Sequence, residues 1–243
     1  MPSTIINPIY TIPSLFGWYS PNSSSLTVSG GEITDWKDSA IGSQTLVGGS
    51  AGSRPVYGGV AHSQAGAVFD GTDDVMSGTP TLITSAVTGT NKSFTIISVG
   101  YATDVTTTQA LWGLGSSSDA NPYYKCGFDG DTFFIAKSRD AGGGEDTINV
   151  GVPVDGQTYI VAVSIGGTTA TLYVDGVNLA SDTFTSGAQT LNTFALGSLS
   201  TNGSFVNKLA GGIGDTLFFD RELSSGTIGL VTRSLGNAYG IGI

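Results

Sequence analysis

Apolar and polar residues alternate along much of this chain, and a period of two is typical of β-strands. In residues 158–165, Tyr159, Val161, Val163 and Ile165 share one face of a predicted strand. Residues 93–101 are rich in β-branched and aromatic side chains, which predicts a central strand. The pattern therefore favours a β-rich fold.

Residues 211–220 form a predicted strand near the end of the chain. Alternation puts Ile213 on the same face as Leu217 and Phe219. Because Leu217, Phe218 and Phe219 are consecutive, both faces of this strand are expected to be covered, as in a central strand of a packed sheet.

A terminal helix is predicted after this strand. Ser224 or Ser225 can cap its first turn, and Gly236 or Asn237 can end it. The apolar side of the helix is expected to contain Ile228, Leu230, Val231 and Leu235.

Glycine turns connect the predicted strands. Gly166-Gly167 and Asp175-Gly176 both suit type I′ hairpin turns, in which both central residues need positive φ. Residues 109–114 and 123–128 form another predicted strand pair. About a dozen strands and one short helix predict an all-β fold, a jelly-roll sandwich of two antiparallel sheets packed face to face.

Residues 1–13 are predicted to form an extended arm before a single domain, residues 14–243. Pro2, Pro8 and Pro13 disfavour both a helix and a central strand. The arm is nevertheless apolar, with Ile5, Ile6, Ile9, Tyr10 and Ile12. Two interpretations are open: a strap across the domain's own surface, or an assembly arm that docks on a neighbouring subunit.

Charge and composition exclude several classes of partner. The net charge is −10, which argues against nucleic-acid binding and against docking on anionic membranes. Cys126 is the one cysteine, so no disulfide can form within the chain, and the apolar neighbour Phe128 predicts a buried thiol. The N-terminus lacks the basic start and apolar run of a signal peptide, which predicts synthesis and folding in a cytoplasm.

Four motifs occur in order along the chain. They are Val28-Ser29-Gly30-Gly31-Glu32-Ile33-Thr34-Asp35-Trp36-Lys37-Asp38-Ser39, Arg54-Pro55-Val56-Tyr57, Ala67-Val68-Phe69-Asp70-Gly71-Thr72-Asp73-Asp74, and residues 211–224 with the ending Tyr239-Gly240-Ile241. The series resembles laminin-G-like, concanavalin A-like jelly-roll domains over about residues 15–241. This resemblance implies the fold and a lectin-like activity, and such domains often bind calcium at loop rims.

No cofactor is assigned, and calcium is the one metal that the carboxylates of this chain could hold, since its ligands are carboxylate and carbonyl oxygens of loops. The candidate ligands are Asp70, Asp73 and Asp74 at one strand end and Asp129 and Asp131 beside Gly130. The alternative is that Asp70 and Asp129 form Asx-turns and the other carboxylates are solvated.

Sugar binding is the activity that the resemblance suggests, through aromatic stacking and hydrogen bonds from loop side chains. The candidate residues around one loop are Trp112, Asp119, Asn121, Tyr123 and Tyr124. In the alternative interpretation, Trp112 and one of the tyrosines face the core.

Catalytic side chains are scarce, so no catalytic residue is assigned. The three glutamates, Glu32, Glu145 and Glu222, form no two-carboxylate pattern of the kind glycosidases use. A G-x-S-x-G match at residues 48–52 lacks a following helix, and the lone His62 is expected in a loop. A polysaccharide-active enzyme is the least favoured hypothesis.

The favoured hypothesis is a non-enzymatic structural or binding protein. Stand-alone domains of this composition resemble bacteriophage virion proteins: capsid decorations, head fibres or tail-associated proteins. This implies a virion location and partners that are other subunits, either copies of this chain or virion proteins. The alternative is an adhesion module at a bacterial cell surface that recognises a glycan.

Overall fold

The computed structural model describes residue 9 and residues 12–22, 24–40, 44–61, 64–139 and 144–243. The described residues form nineteen strands and two helices. In chain order the elements are β1 Leu15–Tyr19, β2 Leu26–Ser29, β3 Glu32–Lys37, β4 Thr45–Gly48, β5 Val56–Ala61, β6 Gln64–Asp70, β7 Met76–Gly78, α1 Thr81–Val87, β8 Phe94–Ala102, β9 Gln109–Gly115, β10 Tyr123–Asp129, β11 Thr132–Ser138, β12 Glu145–Val150, β13 Tyr159–Gly166, β14 Thr169–Val174, β15 Val177–Thr183, β16 Thr193–Leu196, β17 Leu199–Thr201, β18 Ser204–Val206, β19 Ala210–Phe219 and α2 Ser225–Tyr239.

Seventeen of the strands pair into two antiparallel layers, and β17 and β18 form a separate hairpin. The front sheet has the order β2-β3-β4-β7-β16-β9-β10-β11-β12, and the back sheet has the order β5-β6-β19-β8-β13-β14-β15, with β1 also paired to β19. The single pairing of Glu32 with Val56 joins the layers through β3 and β5. The predicted jelly-roll sandwich is confirmed.

The main core lies between the two sheets. Aromatic rings from both layers meet there: Phe94 of β8 lies 5.0 Å from Tyr124 of β10 and 6.0 Å from Phe218 of β19, between ring centroids. The alternating residues of β13, from Tyr159 to Ile165, all belong to this core. Their period of two was therefore a correct signal of one buried face.

A second core covers the outer face of the back sheet. It contains Ile97 and Val99 of β8, Leu217 and Phe219 of β19, and the buried side of α2. Because Phe218 points the opposite way into the main core, β19 is buried on both faces as predicted.

The predicted face of Ile213 is wrong. Ile213 packs in the main core with Phe218. Strict alternation would instead place it on the face of Leu217 and Phe219, which belongs to the second core. The pairing of β19 with β8 shifts register between Ile213 and Thr216, and this irregularity reverses the alternation.

The terminal helix begins as predicted but ends later. The Ser224 side chain accepts a hydrogen bond from Thr227 N at 3.2 Å, and α2 continues through Gly236 to Tyr239. Gly240, at φ 66°, is the left-handed cap. Leu230 was assigned to the apolar side but is 61% exposed, because the buried face comprises Ile228, Val231, Thr232, Leu235, Gly236 and Tyr239.

The second helix, α1, was not predicted. Its residues Ile83 and Val87 are buried in the main core, and its N-cap, Pro80, makes no side-chain capping bond. A seven-residue helix with β-branched residues and no cap residue has no sequence signal that separates it from a strand.

The two glycine turns differ. Asp175 and Gly176 have φ of 50° and 81°, which confirms the positive-φ pair expected of a type I′ turn. In the other hairpin Gly166 pairs with Thr169, so the turn residues are Gly167 and Thr168, and only Gly167 has positive φ. A type I′ turn at Gly166-Gly167 is therefore wrong.

Part of the N-terminal arm lies on the domain itself. Ile9 is 3% exposed in the second core, and Ile12 packs beside it. For these residues the strap interpretation holds. Ile5, Ile6 and Tyr10 lie outside the described residues, and docking on a neighbouring subunit stays a prediction.

Neither helix is long and apolar enough to cross a membrane.

Candidate functional site

Polar side chains cluster where the β9–β10 loop meets the β17–β18 hairpin and the start of β12. Asn121 N donates to Asp119 Oδ1 at 3.1 Å, and Asn202 N donates to the Asp119 carbonyl oxygen at 2.8 Å. Ser138 Oγ donates to Asn121 Oδ1 at 3.1 Å. We call the surface formed by Asp119, Asn121, Tyr123, Glu145 and Asn202 the Tyr123 surface.

Tyr123 is half-buried between opposite charges. Its hydroxyl donates to Glu145 Oε2, and Lys125 Nζ lies 3.2 Å from the same carboxylate. The Lys125 ammonium also lies 5.3 Å from the Tyr123 ring centroid. Burial and the hydrogen bond to Glu145 raise the pKa of Tyr123, so its hydroxyl stays protonated. The surface thus combines an aromatic ring with acceptor and donor groups.

Two of the five candidate sugar-binding residues are in the core. Trp112 is 0% exposed and Tyr124 is 1% exposed, both inside the main core. They share a face because Trp112 of β9 pairs with Cys126, two residues along β10 from Tyr124. Neither can stack on a sugar, which confirms the alternative interpretation for this pair.

The structure brings together the remaining three, Asp119, Asn121 and Tyr123. It adds Glu145 and Asn202, which sequence reasoning did not place here. Glu145 arrives because its strand pairs with β11, where Ser138 lies opposite it. Asn202 arrives through a hairpin about eighty residues away in sequence. Neither pairing has a local sequence signal.

Asp70, Asp73 and Asp74 form an acidic cluster at the end of β6, and their carboxylate oxygens lie within 4.8 Å of one another. Asp70 Oδ1 accepts from Thr72 N at 2.7 Å, which is the Asx-turn of the alternative interpretation. Asp74 Oδ2 accepts from Asp70 N at 2.9 Å, and Asp73 Oδ2 accepts from Ser53 Oγ at 2.7 Å. These bonds leave acceptor capacity on each carboxylate.

Burial raises the pKa of Asp74 to about 6, with further contributions from the charges of Asp70, Asp73 and Glu32. The donor set is chemically suited to a hard cation such as calcium, which would relieve this repulsion. The ammonium group of Lys208 is also near, since Lys208 Nζ donates to the Thr72 carbonyl oxygen at 2.8 Å.

Asp129 and Asp131 do not join this cluster. Among the described residues, the group with metal-site spacing contains only Asp70, Asp73 and Asp74. Asp129 Oδ1 accepts from Thr108 Oγ1 at 2.6 Å, and Asp131 occupies a positive-φ turn position. Asp129 therefore joins the end of β10 to the residue before β9.

The other potentially reactive side chains are either buried or paired with neighbouring side chains. Cys126 is fully buried, and burial raises the pKa of its thiol. Glu32 lies 3.8 Å from Arg54, and Glu145 contacts Tyr123 and Lys125. His62 lies outside the described residues.

Comparison with known proteins agrees with this architecture. Residues 69–229, more than half of the chain, match the sequence model of the concanavalin A-like lectin/glucanases superfamily. The chain belongs to this superfamily. No curated protein is similar enough in sequence to count as a relative.

Solved structures with the same fold include lectin-like modules and enzymes. The CBM40 module of the Ruminococcus gnavus IT-sialidase, bound to α2,3-sialyllactose, has 16% identity and a TM-score of 0.55, with 72% of this chain and 95% of that chain covered. The Trypanosoma rangeli sialidase has 16% identity and a TM-score of 0.62, with 92% of this superfamily member and 33% of that chain covered. At these identities the likeness shows the fold alone.

Proposed function

We propose that this superfamily member is a non-catalytic glycan-binding module. The observation that carries the proposal is the near-complete overlap with CBM40, a carbohydrate-binding module of which 95% is covered. Structures of that module contain α2,3- and α2,6-sialyllactose. The likeness thus extends over a whole binding module.

The Tyr123 surface is the proposed glycan contact. Asp119, Asn121 and Tyr123 supply acceptors, donors and an aromatic ring at one edge of the front sheet, and these groups suit sugar hydroxyls and ring C–H faces. Glu145 and Lys125 hold the Tyr123 side chain, which lowers the ordering cost of binding.

Lack of catalysis is supported by the surroundings of the glutamates. Two-carboxylate hydrolysis needs one carboxyl group to donate a proton and a second to attack or activate water. Glu32 and Glu145 instead lie beside cations, Arg54 and Lys125. The matched sialidase contains this fold in about a third of its length.

The virion role stays a prediction, together with self-assembly, virion partners and a virion location. It rests on the composition of the chain and on the apolar N-terminal arm, and Ile9 of that arm is buried against its own domain. The comparisons favour the alternative, a module recognising a cell-surface glycan, and a bacterial surface is the location that fits it.

Calcium binding at Asp70, Asp73 and Asp74 is a separate proposal. It rests on three carboxylates whose oxygens lie within 4.8 Å of one another. The cluster lies in a loop and could stabilise the domain without touching a glycan.

The test is a titration of glycans, neutral and sialylated, into wild type, Tyr123→Ala and Tyr57→Ala. Tyr57 is a matched control because it is 42% exposed on β5 of the other sheet. We expect Tyr123→Ala to weaken binding about tenfold or more, since aromatic contacts contribute on the order of 1 kcal/mol beyond area burial. Equal affinity for Tyr123→Ala and wild type would remove the Tyr123 surface from the proposal.

A further inference from the structure

A cleft of about 450 Å³ opens on the back-sheet side of the domain, where the residues after α2 meet the end of β5, the β12–β13 connection and the β14–β15 turn. Its volume falls within the range of small-molecule sites, about 300–1,000 Å³. We call it the tail cleft. Its lining residues are Val60, Ala61, Gly156, Gln157, Thr158, Asp175, Gly240, Ile241 and Gly242.

Glycines keep the tail cleft open. Gly156 and Gly240 have φ of 71° and 66°, which favours glycine at both positions. A Cβ at Gly156 or Gly242 would meet no atom within 4 Å. Thr158 Oγ1 donates to the Val60 carbonyl oxygen at 2.8 Å and fixes two of the walls to each other.

Asp175 supplies the charged group of the lining. Its backbone N–H donates to Ile160 O at 2.9 Å, and its Oδ1 accepts from Ile160 N at 2.8 Å. These two bonds fix the side chain on β13. A carboxylate has about four acceptor positions, so most of its capacity is left for a ligand.

The electrostatic field in the tail cleft favours ligands that donate hydrogen bonds. Helix α2 ends at Tyr239 with its cap at Gly240, and the carbonyl end of a helix carries partial negative charge. Among the described residues, the lining contains Asp175 and no lysine or arginine. Carboxylate or phosphate ligands would be repelled, whereas hydroxyl groups could donate to Asp175.

We propose that the tail cleft is a second saccharide site, separate from the Tyr123 surface, that takes a neutral sugar unit. Sugar hydroxyls donate to Asp175, the Gln157 amide supplies a further polar contact, and Val60 and Ile241 contact the apolar face of the ring. The ligand class rests on the proposed function, whereas the position and the preference for an uncharged sugar rest on the cleft.

The test is ligand-observed NMR with glucose, galactose and N-acetylglucosamine as neutral probes and glucuronate as the acidic probe. Gly242 lines the cleft and a Cβ there meets no atom within 4 Å, so Gly242→Leu adds a bulky side chain to the lining without a clash. Asp175→Asn keeps an acceptor for Ile160 N but removes the charge. Gly226→Leu is the matched control at the opposite end of α2, where the nearest atom to a Cβ is 4.0 Å away.

We expect saturation transfer to at least one neutral sugar and none to glucuronate. Measured in the Tyr123→Ala background, so that the Tyr123 surface does not contribute, Gly242→Leu should abolish it and Asp175→Asn should weaken binding about tenfold, as expected for one charged hydrogen bond. Gly226→Leu should leave the signal unchanged, with thermal unfolding confirming that all variants fold.

Equal binding of glucuronate, no transfer to any neutral sugar, or full binding by Gly242→Leu in the Tyr123→Ala background would overturn the tail-cleft proposal. If glycans still bind wild type on an array and Tyr123→Ala loses that binding, the proposed function stands without the cleft. If no glycan binds anywhere, the proposed function fails as well.

Discussion

Asp74 is the titratable residue with the most informative surroundings. It is 5% exposed, and burial together with Asp70, Asp73 and Glu32 raises its pKa to about 6 from an ordinary 3.8. Because the folded state holds this proton more tightly than the unfolded state, the contribution of Asp74 to stability is fully present below pH 3.8. It is lost as the pH rises through about 6.

Asp74→Asn should therefore flatten the pH dependence of stability. The wild-type Tm should fall between about pH 4 and pH 7 by more than the Tm of Asp74→Asn does. Thermal unfolding at a series of pH values measures this. Asp131→Asn is the matched control, since Asp131 lies outside the acidic cluster and Asn tolerates its positive φ. Identical profiles for wild type and Asp74→Asn would contradict the assignment.

Calcium provides a second test of the same cluster. At neutral pH, calcium at a hundred times its Kd should stabilise wild type by about 2.7 kcal/mol, and acidification through the Asp74 pKa should weaken the effect. Asp74→Asn should lose most of the response, whereas Asp131→Asn should keep it. A calcium-insensitive Tm in wild type would refute the calcium proposal.

At the scale of elements, the docking of α2 on β19 depends on close contacts around Tyr239. The Tyr239 hydroxyl donates to Asp215 Oδ2 and accepts from Asp215 N, each at 2.9 Å. A Cβ at Gly214 would lie 2.4 Å from that hydroxyl oxygen. Trp18 Nε1 donates to Asp215 Oδ1, so β1 is joined to the same network.

Gly214→Ala should therefore destabilise the fold by about 1–3 kcal/mol, through overpacking and loss of these buried hydrogen bonds. Gly229→Ala, in the interior of α2, should stabilise the fold by about 0.5–1 kcal/mol. The nearest atom outside the helix backbone is 4.0 Å away, and alanine favours the helix. Denaturant unfolding gives both values. Little loss in Gly214→Ala would show that α2 shifts freely on β19.

Elements with a clear period were predictable from the sequence. The alternation of β13 and the consecutive apolar residues of β19 each predicted the observed burial. The reversal at Ile213 and the pairing that brings Glu145 to Tyr123 were not, because register shifts and strand partners depend on contacts distant in sequence. The same reason limited the candidate site: three of its five residues share a surface, while Trp112 and Tyr124 are in the core.

At the scale of the whole molecule, the main core and the second core cover the two faces of the back sheet and leave little of it for ligands. Its outer face is covered by α2 and Ile9, so the candidate glycan contacts lie at the edge of the front sheet and in the tail cleft beside α2. The net charge is −10, because nineteen aspartates and glutamates outnumber nine lysines and arginines. Such a surface suits neutral glycans better than strongly anionic ones.

The most direct test of glycan recognition is an array of neutral and acidic glycans probed with the labelled wild-type chain, followed by mass spectrometry of the bound glycans. We expect selective, saturable binding to a subset of glycans, with every recovered glycan unchanged in mass. Binding to none of them would contradict the proposed module, and recovery of shortened glycans would show that it is an enzyme.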